Sequence, residues 1–461
     1  MFGLSRRFPL GTAARFFVED GLATLLSGGV GIATVDAGLK TLRSIRRRGG
    51  EVNLELALIP EGEISLPQYA RGAASRFDLS PDRLSAAFVR TSDSDPVQLH
   101  HIAPENDAGR SAIAVALDPS IRGDRELVGL SIVRAASVLR HYDRTGDWPE
   151  AVESDLTLVT TGYAVPLAAI FLREQGGTAG LWAGWSLRRS AAINAQQIGY
   201  ALALLDHAGI PPRRDELKRL RLDARDTYRR SLKPLSRNRV WFDVVQDAVN
   251  ENAFGEWLAS PSATVRMGVL RRLVDDGSTA SRHIDSIARR IGDSDRDVGD
   301  QAVLAMRHAD AAERSRYRDV IVRQIASPRM DRSFAALSTA HRWSLPMASH
   351  VASIHAILRR DDSYSLGLLP VITRHQIDVP VIVQTLCRLV ADADAMERGL
   401  DARSYFETLE SLVDDASAEI RRRVGHAIDP SRWRDDDAGM WASEPLTATD
   451  VQIERHRRFM L

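Results

Sequence analysis

Cysteine is nearly missing from this sequence: Cys387 is the only one in 461 residues. A single thiol excludes an internal disulfide framework and any zinc or iron–sulfur centre built from several cysteines of one chain, and it sets the expectation of a reducing, cytoplasmic setting. Neither charge is in excess. The 61 lysines and arginines balance 61 aspartates and glutamates, so no whole-molecule field draws the protein to nucleic acid or to an anionic membrane. Long apolar runs are also lacking. Arg15, Glu19 and Asp20 interrupt the approach to the apolar stretch 21–35, which a secretory leader tolerates poorly. The run 156–172 holds Pro166 and three threonines, and it falls short of the roughly 20 residues that span a bilayer. No membrane partner is expected. GxxxxGK[ST], GxSxG and a GxGxxG following a strand are all absent, which removes the usual nucleotide-binding and serine-hydrolase readings.

What is present is an ordinary globular mixture, 44% hydrophobic and 26% charged, over a length that favours two or three domains. Short helices are expected between Phe2 and Leu42, broken near Gly28 and Gly29. The alternating runs 52–59 and 84–89 are strand candidates, with a helical stretch ending at Phe77 between them, and SAIAVAL at 111–117 is a third. A helix is expected from about Arg125 to Tyr142, and a second from Ala151 to Arg173, stopped by Gly176 and Gly177. A third runs from Asn194 to Ala208 and closes before Pro211 and Pro212. Beyond Trp241 the pattern is helical throughout, with turns near Ser260, Asp293, Ser327, Asp361 and Asp414.

Those turns recur at the scale of stacked helix pairs. GDSDRDVGDQAVLAMRHAD at 292–310 leads from a polar turn to Val298 and then to Ala302, Leu304 and Ala305. SPSATVRMGVLRRLVDDG at 260–277 repeats the plan with Val265, and DDASAEIRRRVGHAI at 414–428 repeats it with Ile420; the segments 327–344 and 361–375 match weakly. In such a unit the acidic residue or serine caps the helix's free amides, and the branched apolar residue a turn later packs on the preceding pair. The units resemble the second helix of HEAT repeats. That resemblance implies an α/α solenoid with an extended surface suited to gripping a macromolecule, with a protein as the expected partner.

The N-terminal half contains IAVALDPSI at 113–121, LVGL at 127–130, SDLTLVTTGYAVPLA at 154–168, WAGWS at 182–186 and GYALALL at 199–205. This combination resembles a largely uncharacterised bacterial family whose short zincin-like domain carries HExxH on its first helix and an aspartate on its second. Here the HExxH positions read Val133, Arg134, Ala135, Ala136 and Ser137, and Asp155 stands at the place of the aspartate. Catalytic zinc needs three protein ligands and an open water position, which one carboxylate does not supply. The resemblance therefore implies a pseudoenzyme with no catalytic residue, no metal and no cofactor, Asp155 being the one retained ligand-like position. On the residues alone, Asp155 reads as a cap for its own helix.

The fold class expected is mainly α: a degenerate zincin-like α+β domain over 1–208, a basic helical connector over 209–248, HEAT-like repeats over 249–430 and a tail over 431–461. Between Arg213 and Arg239 eleven lysines and arginines face four carboxylates. This is a solvated connector helix or, alternatively, a strip for phosphate or a partner built from Arg213, Arg214, Lys218, Arg219, Arg221, Arg225, Arg229 and Arg230. His100 and His101 read as exposed loop residues, His141 and Asp143 as a helix end, Cys387 as a buried thiol, and Trp182 with Trp185 as a packed corner. The leading expectation is a non-catalytic interaction or scaffold protein. A nucleic-acid-binding protein using 213–239 and a metal-dependent hydrolase with an unrecognised site are the alternatives.

Overall fold

A computed structural model describes residues 8–27, 66–90, 97–102, 111–170, 172–179, 182–189, 191–246, 253–396, 398–425 and 427–430, with 172–179 and 182–189 as backbone. The strand candidate at 52–59, the tail 431–461 and the side chains of Trp182 and Trp185 lie outside the described residues. The chain divides into two compact units, the first comprising 1–253 with 261–268 and the second 254–260 with 269–461. The segment expected as a connector belongs to the first unit through residue 248.

The first unit opens with helix α1 (Thr12–Ser27) and α2 (Leu66–Arg76), followed by strands β1 (Leu84–Phe88), β2 (Val97–Ile102) and β3 (Ala112–Leu117). The three strands form one sheet in the order β1-β3-β2, with β1 parallel and β2 antiparallel to the central β3. β3 carries Ile113, Val115 and Leu117 inward, and α2 packs on β1. Helix α3 (Arg125–Thr145) covers β3. It starts where the Asp124 carboxylate accepts from the Leu127 amide at 3.0 Å, and it ends at Gly146, whose φ of 80° suits a residue without Cβ.

Three expectations need correction here. The second helix is not continuous: α4 (Ala151–Thr161) stops at Gly162, φ 100°, and α5 (Ala164–Ile170) follows. The glycines at 176 and 177 then lie inside a hairpin of β4 (Leu172–Ala179) and β5 (Trp182–Arg189) rather than ending a helix. A glycine lacks the side chain that would resist either conformation, and here it is paired across a ladder. His100 and His101 are on strand β2, not in a loop.

Helix α6 (Ala195–His207), α7 (Arg214–Arg219), α8 (Leu222–Leu235) and α9 (Trp241–Gln246) complete the unit's helices before residue 253. The basic helix α8 is seated rather than free. Ala224, Thr227, Tyr228, Ser231 and Leu235 form its buried stripe against α6, and the approach is so close that a Cβ on Gly199 would lie 2.1 Å from the Ala224 carbonyl oxygen. The Tyr228 hydroxyl donates to Asp206 at 2.7 Å. At the centre of the unit Glu19 on α1 accepts from the Tyr200 hydroxyl at 2.6 Å and the Trp241 amide at 2.7 Å, drawing α1, α6 and α9 onto one buried carboxylate.

In the second unit the described residues form only helices and turns: α10 (Phe254–Leu258), α11 (Ala263–Asp275, divided between the units after Gly268), α12 (Gly277–Ser281), α13 (Ile284–Arg290), α14 (Arg296–Ala305), α15 (Ala311–Ile325), α16 (Met330–Arg342), α17 (Val351–Leu358), α18 (Ser363–Arg374), α19 (Pro380–Ala395), α20 (Gly399–Glu410) and α21 (Ala416–Val424). Helices α11, α14, α16 and α18 begin 33, 34 and 33 residues apart. Asp295, Asp362 and Asp415 cap α14, α18 and α21 with their carboxylates. Each of α14, α16, α18 and α20 packs on the helix before it. The same helices contact one another in succession, α14 on α16, α16 on α18 and α18 on α20. Several side-chain hydrogen bonds between elements of this unit span about one such interval. Arg329 to Asp300 spans 29 residues, Tyr317 to Asp285 32, Thr339 to the Val303 carbonyl 36 and Tyr405 to Asp361 44. Among the described residues no helix is long and apolar enough to cross a membrane.

Candidate functional site

Asp155 lies in the middle of α4, where Glu150 and not Asp155 is the N-cap, so the expected capping of its own helix is corrected. Its carboxylate is 1% exposed. One oxygen accepts from the Arg134 guanidinium of α3, and the other accepts from the amides of Ala192 at 2.6 Å and Ile193 at 3.3 Å, just ahead of α6. The Arg134 guanidinium, a fixed organic cation, thus neutralises the Asp155 carboxylate. Val133 beside Arg134 is fully buried, and the Ser137 hydroxyl turns back to the Arg134 carbonyl at 2.8 Å. Among the described residues no three His, Cys, Asp or Glu side chains converge as a metal site would require.

The other sequence candidates are dispersed. Asp143 makes a two-pronged pair with the buried Arg83, at 2.6 and 2.8 Å, and Arg83 also donates to the Ser111 carbonyl at 2.7 Å, which ties the ends of α3 and β3 to the start of β1. His101 lies against Tyr142 and Trp148, 4.7 Å from the latter's ring centre. Cys387 is buried in α19, where desolvation pushes its thiol up to about 11, away from nucleophilic character.

The basic segment is split over two helices. Arg213, Arg214, Lys218 and Arg219 are exposed at or on α7, and Arg221, Arg229 and Arg230 at or on α8, with Arg225 half-buried. Three of the eight are engaged locally: Arg213 with Asp215 at 3.3 Å, Arg221 with Asp223 at 3.1 Å and Arg230 with Asp226 at 3.3 Å. The Arg225 Nε is enclosed, whereas Arg229, one turn on, is exposed.

A row of imidazoles that residue-by-residue reasoning missed lies in the second unit. His308 follows α14, His341 is in the last turn of α16 and His375 follows α18. They stand 33 and 34 residues apart, which is the repeat spacing, and that interval is the sequence signal that finds them. The His341 and His375 rings are 5.3 Å apart at 72°, and His308 Nε2 lies 2.7 Å from the Val274 carbonyl oxygen. Arginines accompany the row: Arg307 and Arg342 act on His308, Arg342 and Arg374 on His341, and Arg374 on His375. Burial is the first cause that lowers all three imidazoles, joined at His341 by His375 and then the arginines, at His375 by Arg374, and at His308 by Arg307 and Arg342 against the raising contact with the Val274 carbonyl; His341 falls to about 4. They are neutral at pH 7. His341 Nδ1 and His375 Nε2 are buried without a hydrogen-bond partner. Asp275 and Asp276 act on Arg307 and His308 respectively, so the His308 end is partly neutralised while the His341 to His375 end keeps its positive charge.

Compared with known proteins, the chain matches no family model, and no curated protein or solved structure is significantly similar to it.

Proposed function

We propose that this chain is a non-catalytic interaction protein of the cytoplasm, in which a HEAT-like solenoid grips a macromolecular partner, with a protein as the first choice, and a zincin-like domain persists as a pseudoenzyme. The observation that carries the reading is the regular succession of helix pairs in the second unit, whose corresponding helices α14, α16 and α18 begin 34 and 33 residues apart, each contacting the next. A stack of this kind leaves one long surface open along its length, and extended surfaces are what such arrays use to bind. The Arg134–Asp155 pair supports the pseudoenzyme half, because a metal would have to displace a guanidinium already bonded to the carboxylate.

Affinity capture with the full chain, followed by crosslinking, tests the first half: one partner crosslinked to helices of 254–425 is expected, and its absence would overturn it. Elemental analysis tests the second. No stoichiometric zinc is expected, and Asp155→Ala lowers stability by about 3 kcal/mol as Arg134 and two amides lose their acceptor. Stoichiometric zinc that disappears in that variant would instead restore a metal-dependent hydrolase.

A second reading has its own observation, the exposed cations of the basic segment, Arg213, Arg214, Lys218 and Arg219 at or on α7 and Arg221, Arg229 and Arg230 at or on α8. If these cations hold nucleic acid, affinity falls steeply with salt and the slope shrinks in Arg214→Ala/Arg229→Ala. Absence of binding at low salt removes this reading.

A further inference from the structure

We infer that the ends of α16 and α18, where His341, Arg342, Arg374 and His375 meet, form a docking site for an acidic segment of a partner protein. This rests on the interaction reading above and narrows it to a chemistry.

The first argument is uncommitted charge. Some arginines of the second unit are taken up by carboxylates, Arg329 and Arg332 by Asp300, Arg360 by Asp362 and Arg398 by Asp361. Arg342 and Arg374 are exposed and form no ion pair with a described residue; Arg374 donates only to the Ser344 hydroxyl, at 3.1 Å. Their guanidinium forks match carboxylates in geometry as well as in charge.

The second argument separates this row from ordinary helix capping. A cationic histidine at a helix C-terminus is stabilised by the free carbonyls there and keeps its proton more firmly. His341 and His375 behave in the opposite sense, because burial and the neighbouring guanidinium groups hold them neutral. Concentrating like charges beside a poorly solvated floor costs stability, and a bound carboxylate relieves that cost. The unpartnered His341 Nδ1 and His375 Nε2 are enclosed in this floor, which leaves the contact with a carboxylate to the two guanidinium groups above it.

The third argument selects the partner. Two arginines on adjacent repeats suit one or two carboxylates on a peptide, whereas a nucleic-acid backbone is held by a longer run of cations.

The test is fluorescence anisotropy of a short labelled oligo-glutamate peptide on the full chain at low salt, with oligo-glutamine as control. Oligo-glutamate is expected to bind and to be released by salt. Arg342→Ala/Arg374→Ala should weaken it by about tenfold or more, the loss of two charge-assisted contacts, while Arg214→Ala/Arg219→Ala in the first unit leaves it unchanged. No binding, binding indifferent to Arg342 and Arg374, or binding of a phosphopeptide or DNA through these arginines without oligo-glutamate binding would each overturn the proposal. A captured partner that survives Arg342→Ala/Arg374→Ala removes this site and leaves the interaction reading standing; oligo-glutamate binding with no partner captured does the reverse.

Discussion

The two units are held together by contacts of different reach. In the first, Glu19 meets Tyr200 across 181 residues and Trp241 across 222, and Asp20 reaches the Trp241 indole across 221. In the second, linked residues such as Arg329 with Asp300 or Tyr405 with Asp361 are 29 to 44 apart, about one repeat. A core closed by remote contacts exists only when the whole unit is folded. A stack of nearest neighbours distributes stability over its interfaces, so damage at one of them stays close to where it is made.

The largest expected effect is in the first unit. Trp241 is fully buried, its indole N–H donates to Asp20 at 2.9 Å, and its ring fills the space where a Cβ on Gly268 would lie at 2.2 Å. Trp241→Ala should cost about 3–5 kcal/mol. Hydrogen exchange should then show α1, α6 and α9 losing protection together; loss confined to α9 would refute the view of a single remote-contact core.

The matching break in the second unit is Asp300→Ala. Asp300 and Arg332 are both about nine-tenths buried, and burial raises the Asp300 carboxyl in spite of the two arginines bonded to it. Such a pair contributes little by itself, but removing one member strands the other charge, at about 3 kcal/mol. Exchange should quicken in α14 and α16 and remain slow in α19 and α20. Asp300→Leu/Arg332→Met should recover most of the loss, which equilibrium denaturation would measure.

The same positions explain how far the sequence could be read. Val265 and Val298 announce their helices because a branched apolar residue after a polar turn is a hydrophobic signal. The corresponding places in α16 and α18 hold Arg332 and Ser365, both buried and satisfied by hydrogen bonds, Arg332 to Asp300 and the Ile291 carbonyl, Ser365 to the Ile357 carbonyl. Polar residues in core positions conceal a repeat from a hydrophobic pattern, which is why 327–344 and 361–375 match weakly while forming helices on the same spacing. Strand β2, VQLHHI, is an exposed edge with no apolar alternation to reveal it. The sequence offers Asp155 as a ligand-like residue, and only the fold brings Arg134 against it. Likewise the histidine spacing is in the chain, whereas the closeness of His341 to His375 depends on the packing of α16 on α18.

A gentler way to sharpen the comparison is pH. Burial raises the Glu19 carboxyl from 4.5 to about 7, against the opposing pull of Arg15 and the hydrogen bonds from Tyr200 and the Trp241 amide. Below pH 4.5 both folded and unfolded chains hold the proton, so the first unit carries no penalty there. As pH rises from 4.5 towards 7 the unfolded chain releases the proton while the folded one keeps it, so stability falls, by roughly 3 kcal/mol in all, and levels off above about 7. Glu19→Gln should abolish this slope in denaturation curves taken between pH 5 and 8, and a slope that persists would assign it to another group.

The smallest expected effects test whether reach, rather than the number of ion pairs, separates the units. Arg230 with Asp226 in α8 and Arg403 with Glu407 in α20 are both exposed pairs four residues apart, one in each unit. Solvent screens both, and each closes within a single helix turn, so neither depends on how its unit is assembled. Arg230→Ala and Arg403→Ala should therefore each shift stability by less than about 0.5 kcal/mol, and by similar amounts. A large loss from Arg230→Ala alone in thermal denaturation would mean that the first unit amplifies local changes as well as remote ones, and its cooperativity would then have a source other than the contacts gathered at Glu19 and Trp241.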